Sequence, residues 1–89
     1  MRSYRSPKFR EMFVKLPPDV QELARNTYRR FRENPYHPSL QLKEVDHRTR
    51  MYSARVGLFY RVLGIRTEPD VIVWGWIGTH AEYDKLLKR

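Results

Sequence analysis

The chain has 89 residues without a cysteine, and 40% of its residues are hydrophobic. This length predicts one domain over residues 1–89, whose small core leaves room for an open groove but not for an enclosed cavity. The absence of cysteine excludes disulfides and thiolate chemistry and is typical of a reducing compartment. Because no apolar run is long enough for a signal peptide or a membrane span, we expect a cytoplasmic protein.

Positive charge is the strongest feature of the composition. Eighteen Lys and Arg residues stand against ten Asp and Glu, which gives a net charge of +8 at pH 7. Most of the basic residues are arginines, whose planar guanidinium group suits phosphate. The excess is larger than solubility requires. It predicts a polyanion or an acidic protein as partner, and charge alone does not separate the two.

The N-terminal third predicts a helical hairpin. Residues 2–5 allow a short edge strand, and Ser6-Pro7 then forms a helix start with Ser6 as the N-cap. Apolar residues recur at helical spacing up to Pro17-Pro18, which ends the first helix. The second helix continues to Asn34-Pro35, and its apolar face carries Val20, Leu23, Ala24, Tyr28 and Phe31.

The rest of the chain predicts strands and a final helix. After the loop at 34–39 the apolar residues begin to alternate, which predicts a first strand from Leu40. Strands follow at 51–56, 58–65 and 71–77, and their short connections require antiparallel neighbours. A short helix runs from Thr79 to Arg89. The prediction is an α+β domain in which the helical hairpin packs on a curved antiparallel sheet of about four strands.

His80 is the first candidate for chemistry. Thr79 and Glu82 fit a capping box, and Gly78 is expected to permit the turn from strand to helix. His80 then lies in the first helical turn, where free N–H groups and the macrodipole attract phosphate and disfavour imidazolium. A neutral imidazole beside a phosphate suits general base catalysis. The competing interpretation is a polar first-turn residue without a catalytic role.

Arg55 and Arg61 lie within predicted strands, where a charged side chain indicates either a solvated sheet face or a binding site. Arg61 shares its face with apolar residues, so either that face is partly a groove or the Arg61 stem packs while its head reaches water. A two-residue turn at 57–58 would oppose Arg55 to Tyr60, and a turn one residue longer would oppose Arg55 to Arg61. The sequence leaves both registers open.

The aromatic residues and the other histidines are weaker candidates. Tyr83 lies one turn after Thr79, which places its ring either beside His80 or in the core. His37 and His47 are expected at the surface, and no P-loop or glycine-rich nucleotide motif occurs. Five aromatic residues of the predicted strands could stack bases: Tyr52, Phe59, Tyr60, Trp74 and Trp76. Most of them are more typical of core residues than of base-stacking platforms.

Three segments in succession resemble the RelE/ParE superfamily of bacterial toxins from toxin–antitoxin pairs. They are NPYHPSLQLKEV at 34–45, MYSARVGLFYRVLG at 51–64 and IVWGWIGTHAEYDKLL at 72–87. The resemblance spans nearly the whole chain, and its most specific parts are the YSARVG…YRV hairpin and the histidine after the strand-ending glycine. It implies a RelE-like, ribosome-dependent endoribonuclease that cuts messenger RNA without a metal or cofactor. It also implies an antitoxin, acidic and encoded by the adjacent gene, as partner.

The resemblance assigns roles to individual residues. Arg55 matches the basic residue before the hairpin turn, Arg61 matches the arginine of the YR step, and His80 matches a basic or histidine position after the glycine. Tyr83 corresponds to a C-terminal tyrosine of some members, at a different spacing. Ser53 stands where some members carry a lysine, so general acid and general base stay unassigned. RNA contacts are expected from Lys43, Arg48, Arg50 and Lys85.

The implied reaction is attack of the ribose 2′-OH on the adjacent phosphate. His80 moves a proton, and Arg55 and Arg61 stabilise the charge that grows on the phosphate oxygens. Two alternatives stay open. The ParE branch of the superfamily inhibits DNA gyrase and has no nuclease site, and a basic nucleic-acid-binding module needs no catalysis.

Overall fold

In residues 1–88, which the computed structural model describes, five strands and three α-helices follow the predicted order. The N-terminal part contains β1 (Arg2–Arg5), α1 (Pro7–Val14), α2 (Pro18–Glu33) and a 3₁₀ turn (Pro38–Leu40). The C-terminal part contains β2 (Lys43–Asp46), β3 (Met51–Val56), β4 (Tyr60–Glu68), β5 (Val71–Thr79) and α3 (His80–Leu87). The predicted helix end at Arg89 lies outside the described residues. Over residues 1–88 no helix is both long and apolar enough to cross a membrane.

The sheet has the strand order β1-β5-β4-β3-β2. Strands β2 to β5 are antiparallel neighbours, as predicted, whereas β1 pairs with β5 in parallel. The sheet is therefore mixed and has five strands, although the predicted α+β class and helical hairpin are confirmed. A parallel pair needs a long connection, and here the whole segment from α1 to β4 separates the two strands. The sequence pattern of residues 2–5 does not indicate that β1 pairs with β5 in parallel.

Two predicted strand starts are wrong. Leu40 belongs to the 3₁₀ turn, where it is only 1% exposed and joins the core, so its apolar character reflects burial and not a strand. Leu58 and Phe59 lie in the turn between β3 and β4 and are 69% and 71% exposed. Gly57 opens that turn at a φ of +62°, a conformation that glycine adopts without strain.

The helical hairpin covers one face of the sheet. Helix α2 buries Val20, Ala24 and Phe31, and the Phe31 ring meets the Trp74 ring edge-on at 5.4 Å between centroids. The remaining core residues come from the sheet, α1 and the 3₁₀ turn: Phe9, Leu40, Ala54, Val56, Val62, Ile72 and Ile77. Helix α3 lies against the opposite face, which leaves that face partly open.

A β-bulge in β5 turns the two tryptophans to different faces. Leu63 pairs with Trp76 and Gly64 pairs with Trp74, so Gly75 is the extra residue. Trp74 lies directly over Gly64, where an added Cβ would stand 2.7 Å from the Trp74 ring and 3.0 Å from the Val73 carbonyl oxygen. The bulge thereby seats Trp74 in the core and leaves Trp76 on the face that carries α3.

We predict that Gly64→Ala destabilises the fold, because the added Cβ would displace the Trp74 ring from its packed position. The expected loss is about 1–3 kcal/mol in the free energy of unfolding, measured by urea denaturation. Gly75→Ala is the matched control, since its nearest neighbour would be the Ser6 hydroxyl at 3.9 Å. We expect this control to change stability by less than about 0.5 kcal/mol. Equal losses in both variants would contradict the packing of Trp74 on Gly64.

Candidate functional site

The predicted catalytic residues lie where β3, β4, β5 and α3 come together, on the face of the sheet opposite α2. The turn between β3 and β4 takes the longer form, so Arg55 lies directly opposite Arg61. Gly78 pairs with Arg61 from the other side, and α3 begins two residues later. Directly opposed residues in an antiparallel pair share a face, so the two arginines are neighbours.

Arg61 is buried beneath α3, with 4% of its surface exposed. Its Nη2 donates to the Ser53 hydroxyl oxygen at 2.9 Å, and its guanidinium carbon lies 5.0 Å from the centre of the Tyr83 ring. Its Nε has no hydrogen-bond partner, and no carboxylate in residues 1–88 forms an ion pair with it. The Arg61 head does not reach water, because Tyr83 covers it, so the second sequence interpretation is wrong. The first is met in part, since an open depression on that face is lined by Leu63 and Ile65, which were predicted to share the face with Arg61.

Ser53 and Tyr83 hold that arginine in place. Ser53 is fully buried, and its hydroxyl oxygen also accepts from the Tyr83 hydroxyl at 3.3 Å. The Tyr83 ring is 6% exposed and lies 5.8 Å from the His80 ring at 60°. Tyr83 therefore fulfils both sequence alternatives, a core position and contact with His80. Ser53 was not predicted to organise the site, although its place two residues before Arg55 puts both side chains on one face.

His80 lies at the surface beside this buried pair, and its side chain is 51% exposed. Its Nδ1 is 3.1 Å from a carboxylate oxygen of Asp84, one helical turn later. Its backbone N–H donates to the Phe59 carbonyl oxygen at 2.6 Å, which ties the start of α3 to the hairpin turn. Asp84 was missed by sequence reasoning, although its spacing of four residues from His80 on a helix is the signal for such a pair.

The capping box at the start of α3 is present as predicted. The Glu82 carboxylate accepts from the Thr79 backbone N–H at 2.8 Å, and the Glu82 N–H donates to the Thr79 hydroxyl oxygen at 3.1 Å. The bond from the Thr79 N–H lowers the pKa of Glu82. Since His80 also uses its N–H, three of the N–H groups at the start of α3 already have partners within the protein. The protein's own carboxylate already occupies this positive helix end.

Gly78 has a different role from the predicted one. It lies within β5 and forms no turn. A Cβ at this position would stand 2.6 Å from the Trp76 ring and 2.9 Å from the Glu82 carboxylate. Glycine is needed here because the capping carboxylate and an aromatic ring approach the strand backbone closely.

Arg55 is half-buried, and its Nε donates to the Gly57 carbonyl oxygen at 2.8 Å. Lys43 pairs with Ser53 in register, so it borders the site from the edge strand, and Lys85 lies on α3. Arg48 and Arg50 follow β2, at the opposite end of β3 from Arg55 and about 16 Å from it along the strand. Arg50 also pairs with Glu44 at 3.5 Å. The predicted RNA contacts therefore form two separate groups.

The remaining histidines behave as surface residues, as predicted. His37 bonds Ser39 in the 3₁₀ turn that follows it, and His47 bonds Glu44 of the adjacent strand β2. Across residues 1–88 no cluster of three His, Asp or Glu side chains is arranged to hold a metal ion.

We predict that the capping box stabilises α3 and with it the cover over Arg61. Thr79→Ala should lower the free energy of unfolding by about 1 kcal/mol at pH 7. The folded pKa of Glu82 lies below its ordinary value, so its stabilisation is present above the unfolded pKa and is lost as pH falls through the folded pKa. Glu82→Gln should therefore be less stable than the natural chain at neutral pH, with a difference that shrinks in acid.

Thermal denaturation at a series of pH values measures this difference. Glu11→Gln, in the exposed part of α1, is the control and should follow the natural chain at every pH. A stability difference for Glu82→Gln that does not depend on pH would contradict the capping role of its carboxylate.

Comparison with known proteins gives one family. The sequence model described as ParE-like toxin domain matches residues 18–85, which include α2, the antiparallel strands and most of α3. Curated proteins and solved structures yield no match. A domain of this family indicates a toxin of a toxin–antitoxin system, with a cognate antitoxin as its partner. The fold and the family match agree, and the chain belongs to the ParE-like toxin domain family.

Proposed function

We propose that the chain is a ribosome-dependent endoribonuclease that cuts messenger RNA by attack of the ribose 2′-OH. The observation that carries the proposal is the arrangement around His80. Its exposed ring is oriented by Asp84 and lies against Tyr83, whose ring covers Arg61, and Arg61 lies opposite Arg55. A proton-transfer group thus lies in the same cluster as two guanidinium groups, and phosphodiester cleavage requires both kinds of group.

In the proposed reaction Asp84 accepts the Nδ1–H of His80, which leaves Nε2 free to accept the proton of the 2′-OH. The 2′-oxygen forms a bond to phosphorus while the bond from phosphorus to the 5′-oxygen breaks. The proton that the 5′-oxygen needs comes from the imidazolium or from water. The products are a 2′,3′-cyclic phosphate and a 5′-hydroxyl end.

The two arginines have different parts in this reaction. Arg55 uses only its Nε for the Gly57 carbonyl, so its outer guanidinium nitrogens are available to phosphate oxygens. Arg61 is buried and acts through its field, which solvent screens weakly beneath the Tyr83 ring. Both cations favour the charge that develops on the phosphate in the transition state.

Phe59 adds a surface for a base next to this cluster. Its ring is 71% exposed at the hairpin tip, while its carbonyl is held by the His80 N–H. An exposed aromatic ring on a fixed backbone beside a cationic site suits stacking of an unpaired base.

We propose an acidic antitoxin for the partner that family membership implies. An acidic segment would complement the net charge of +8. Beside the site lies an apolar depression of about 220 Å³ that would accommodate the apolar side of such a segment. Its lining consists of Met51, Leu63, Gly64, Ile65, Gly75, Trp76 and Leu86.

Inhibition of DNA gyrase is the second candidate function. The description of the matched family as ParE-like favours it. The burial of Arg61 and the carboxylate at the start of α3 also favour a surface without catalysis.

We predict that the protein cuts ribosome-bound messenger within the coding region and leaves gyrase supercoiling unaffected at the same concentration. Primer extension locates the cuts, and the supercoiling of a relaxed plasmid measures gyrase activity. His80→Gln should slow cutting at least about 100-fold, because general acid–base catalysis contributes that much or more. His37→Gln, an exposed loop histidine, is the control and should cut normally.

A 2′-deoxy nucleotide at the cleavage site should abolish cutting, because it removes the nucleophile. Intact messenger together with lost supercoiling would overturn the nuclease proposal in favour of gyrase inhibition. Normal cutting by a folded His80→Gln variant would overturn the proposed role of His80.

We predict that Phe59→Ala weakens substrate use through KM more than through kcat. Stacking of a base on an aromatic ring contributes roughly 1–3 kcal/mol, so KM should rise about fivefold or more. Phe59→Trp should keep the natural KM. Tyr36→Ala removes an aromatic ring that is 67% exposed in another loop and serves as the control. A Phe59→Ala variant with an unchanged KM would contradict stacking.

A further inference from the structure

A second positively charged surface lies between α2 and β1, on the side of the sheet away from His80. Arg25, Arg29 and Arg32 are spaced by four and three residues, so they lie on one flank of α2 and span about 10 Å along its axis. Arg2 and Arg5 lie on β1 beside that flank. These five exposed arginines are called the α2–β1 surface below.

Aromatic rings fix the direction of two of these guanidinium groups. Arg5 stacks over the Tyr28 ring with its guanidinium carbon 5.1 Å from the ring centre, and Arg25 stacks over Phe13 at 5.3 Å. Tyr28 is itself held, because its hydroxyl shares a 2.8 Å hydrogen bond with the Ser3 hydroxyl. Stacked guanidinium groups keep their edges free for hydrogen bonds, so these two arginines are preorganised for an anion.

An open depression joins the helix to the strand. Arg2 and Ser3 of β1 line it together with Tyr28 and Arg32 of α2, and its volume is about 510 Å³. A depression that is open at the surface and lined by two arginines suits an extended polyanion better than a small ligand.

The charges of the α2–β1 surface are not balanced within residues 1–88. None of its five arginines lies within ion-pair distance of a carboxylate. The side-chain acceptors that they do meet are neutral: Gln21 for Arg25 and Asn26 for Arg29. Glu22 and Glu33 on the same helix form no ion pair, and Asp70 is bound to the N-terminal amine. Like charges spaced three and four residues apart destabilise a helix, and a bound polyanion would relieve this repulsion.

We propose that the α2–β1 surface binds the phosphodiester backbone of an RNA duplex and anchors the protein on structured RNA. The choice of RNA rests on the proposed function, in which the opposite face cuts messenger on the ribosome. An arginine can donate two hydrogen bonds to the oxygens of one phosphate. Arginines without a pocket for base edges recognise the charge and shape of the RNA backbone and not its sequence. One face of the protein thus binds the RNA duplex, while the face that carries His80 binds the single-stranded messenger.

The experiment measures anisotropy of a fluorescein-labelled RNA hairpin with 2′-O-methyl riboses, which the protein cannot cut by 2′-OH attack. Binding is followed between about 50 and 200 mM salt, where phosphate contacts weaken most visibly. The test variant is Arg25→Gln with Arg32→Gln. The control is Arg30→Gln with Lys88→Gln, which removes the same charge elsewhere, since Arg30 lies on the other flank of α2 and bonds Ser39.

The test variant should bind the hairpin roughly tenfold more weakly at 150 mM salt, and its salt slope should fall by about two. The control should lose less than about threefold, as distant screened charges do. Equal losses in both double variants, or no binding by the natural chain, would overturn the proposal, as would tighter binding to a DNA hairpin of the same sequence. The measurement follows binding and not cleavage, so a failure of the nuclease proposal does not affect the interpretation of this result.

Discussion

The buried guanidinium group of Arg61 is the constraint on which the site depends. A cation taken out of water needs compensation, and here it comes from the Ser53 hydroxyl and the face of the Tyr83 ring, without a carboxylate. Both partners are themselves fixed, since Tyr83 bonds Ser53. One charged side chain therefore contributes to joining α3 to the sheet. The docking of α3 also sets the position of His80, because the His80 and Tyr83 rings touch on the same helix.

The two faces of the sheet have separate tasks. The helical hairpin closes one face with an apolar core, and the bulge at Gly75 directs Trp74 into that core. The other face keeps its charged residues because α3 is short and covers only part of it. Stability therefore resides mainly beneath α2, and this leaves the α3 face free to carry a buried cation that a core would not tolerate.

Local signals predicted much of this structure. The capping box at Thr79, the limits of β3 and the hairpin of α1 and α2 follow from spacing and side-chain chemistry, which act over a few residues. The parallel pairing of β1, the burial of Arg61 and the bulge at Gly75 depend on contacts between distant segments, so composition and periodicity could not supply them. The site was found in part. Position suggested His80 and Tyr83, whereas the roles of Ser53 and Asp84 became visible only once α3 lay against β3 and β4.

Phosphate binding at the Arg55, Arg61 and His80 cluster is the central claim, and NMR of the side-chain N–H groups tests it most directly. A 2′-O-methyl trinucleotide is titrated into the ¹⁵N-labelled protein, and the resonances of the Arg61 Nε–H and the His80 ring are followed. The exposed His80 ring should shift through contact with the nucleotide, and the buried Arg61 Nε–H should shift through the charge of the nearby phosphate. Both should saturate at one affinity, while Arg30 on the far flank of α2 should not move. Unchanged Arg61 and His80 resonances at saturating nucleotide would contradict a phosphate site between β3, β4 and α3.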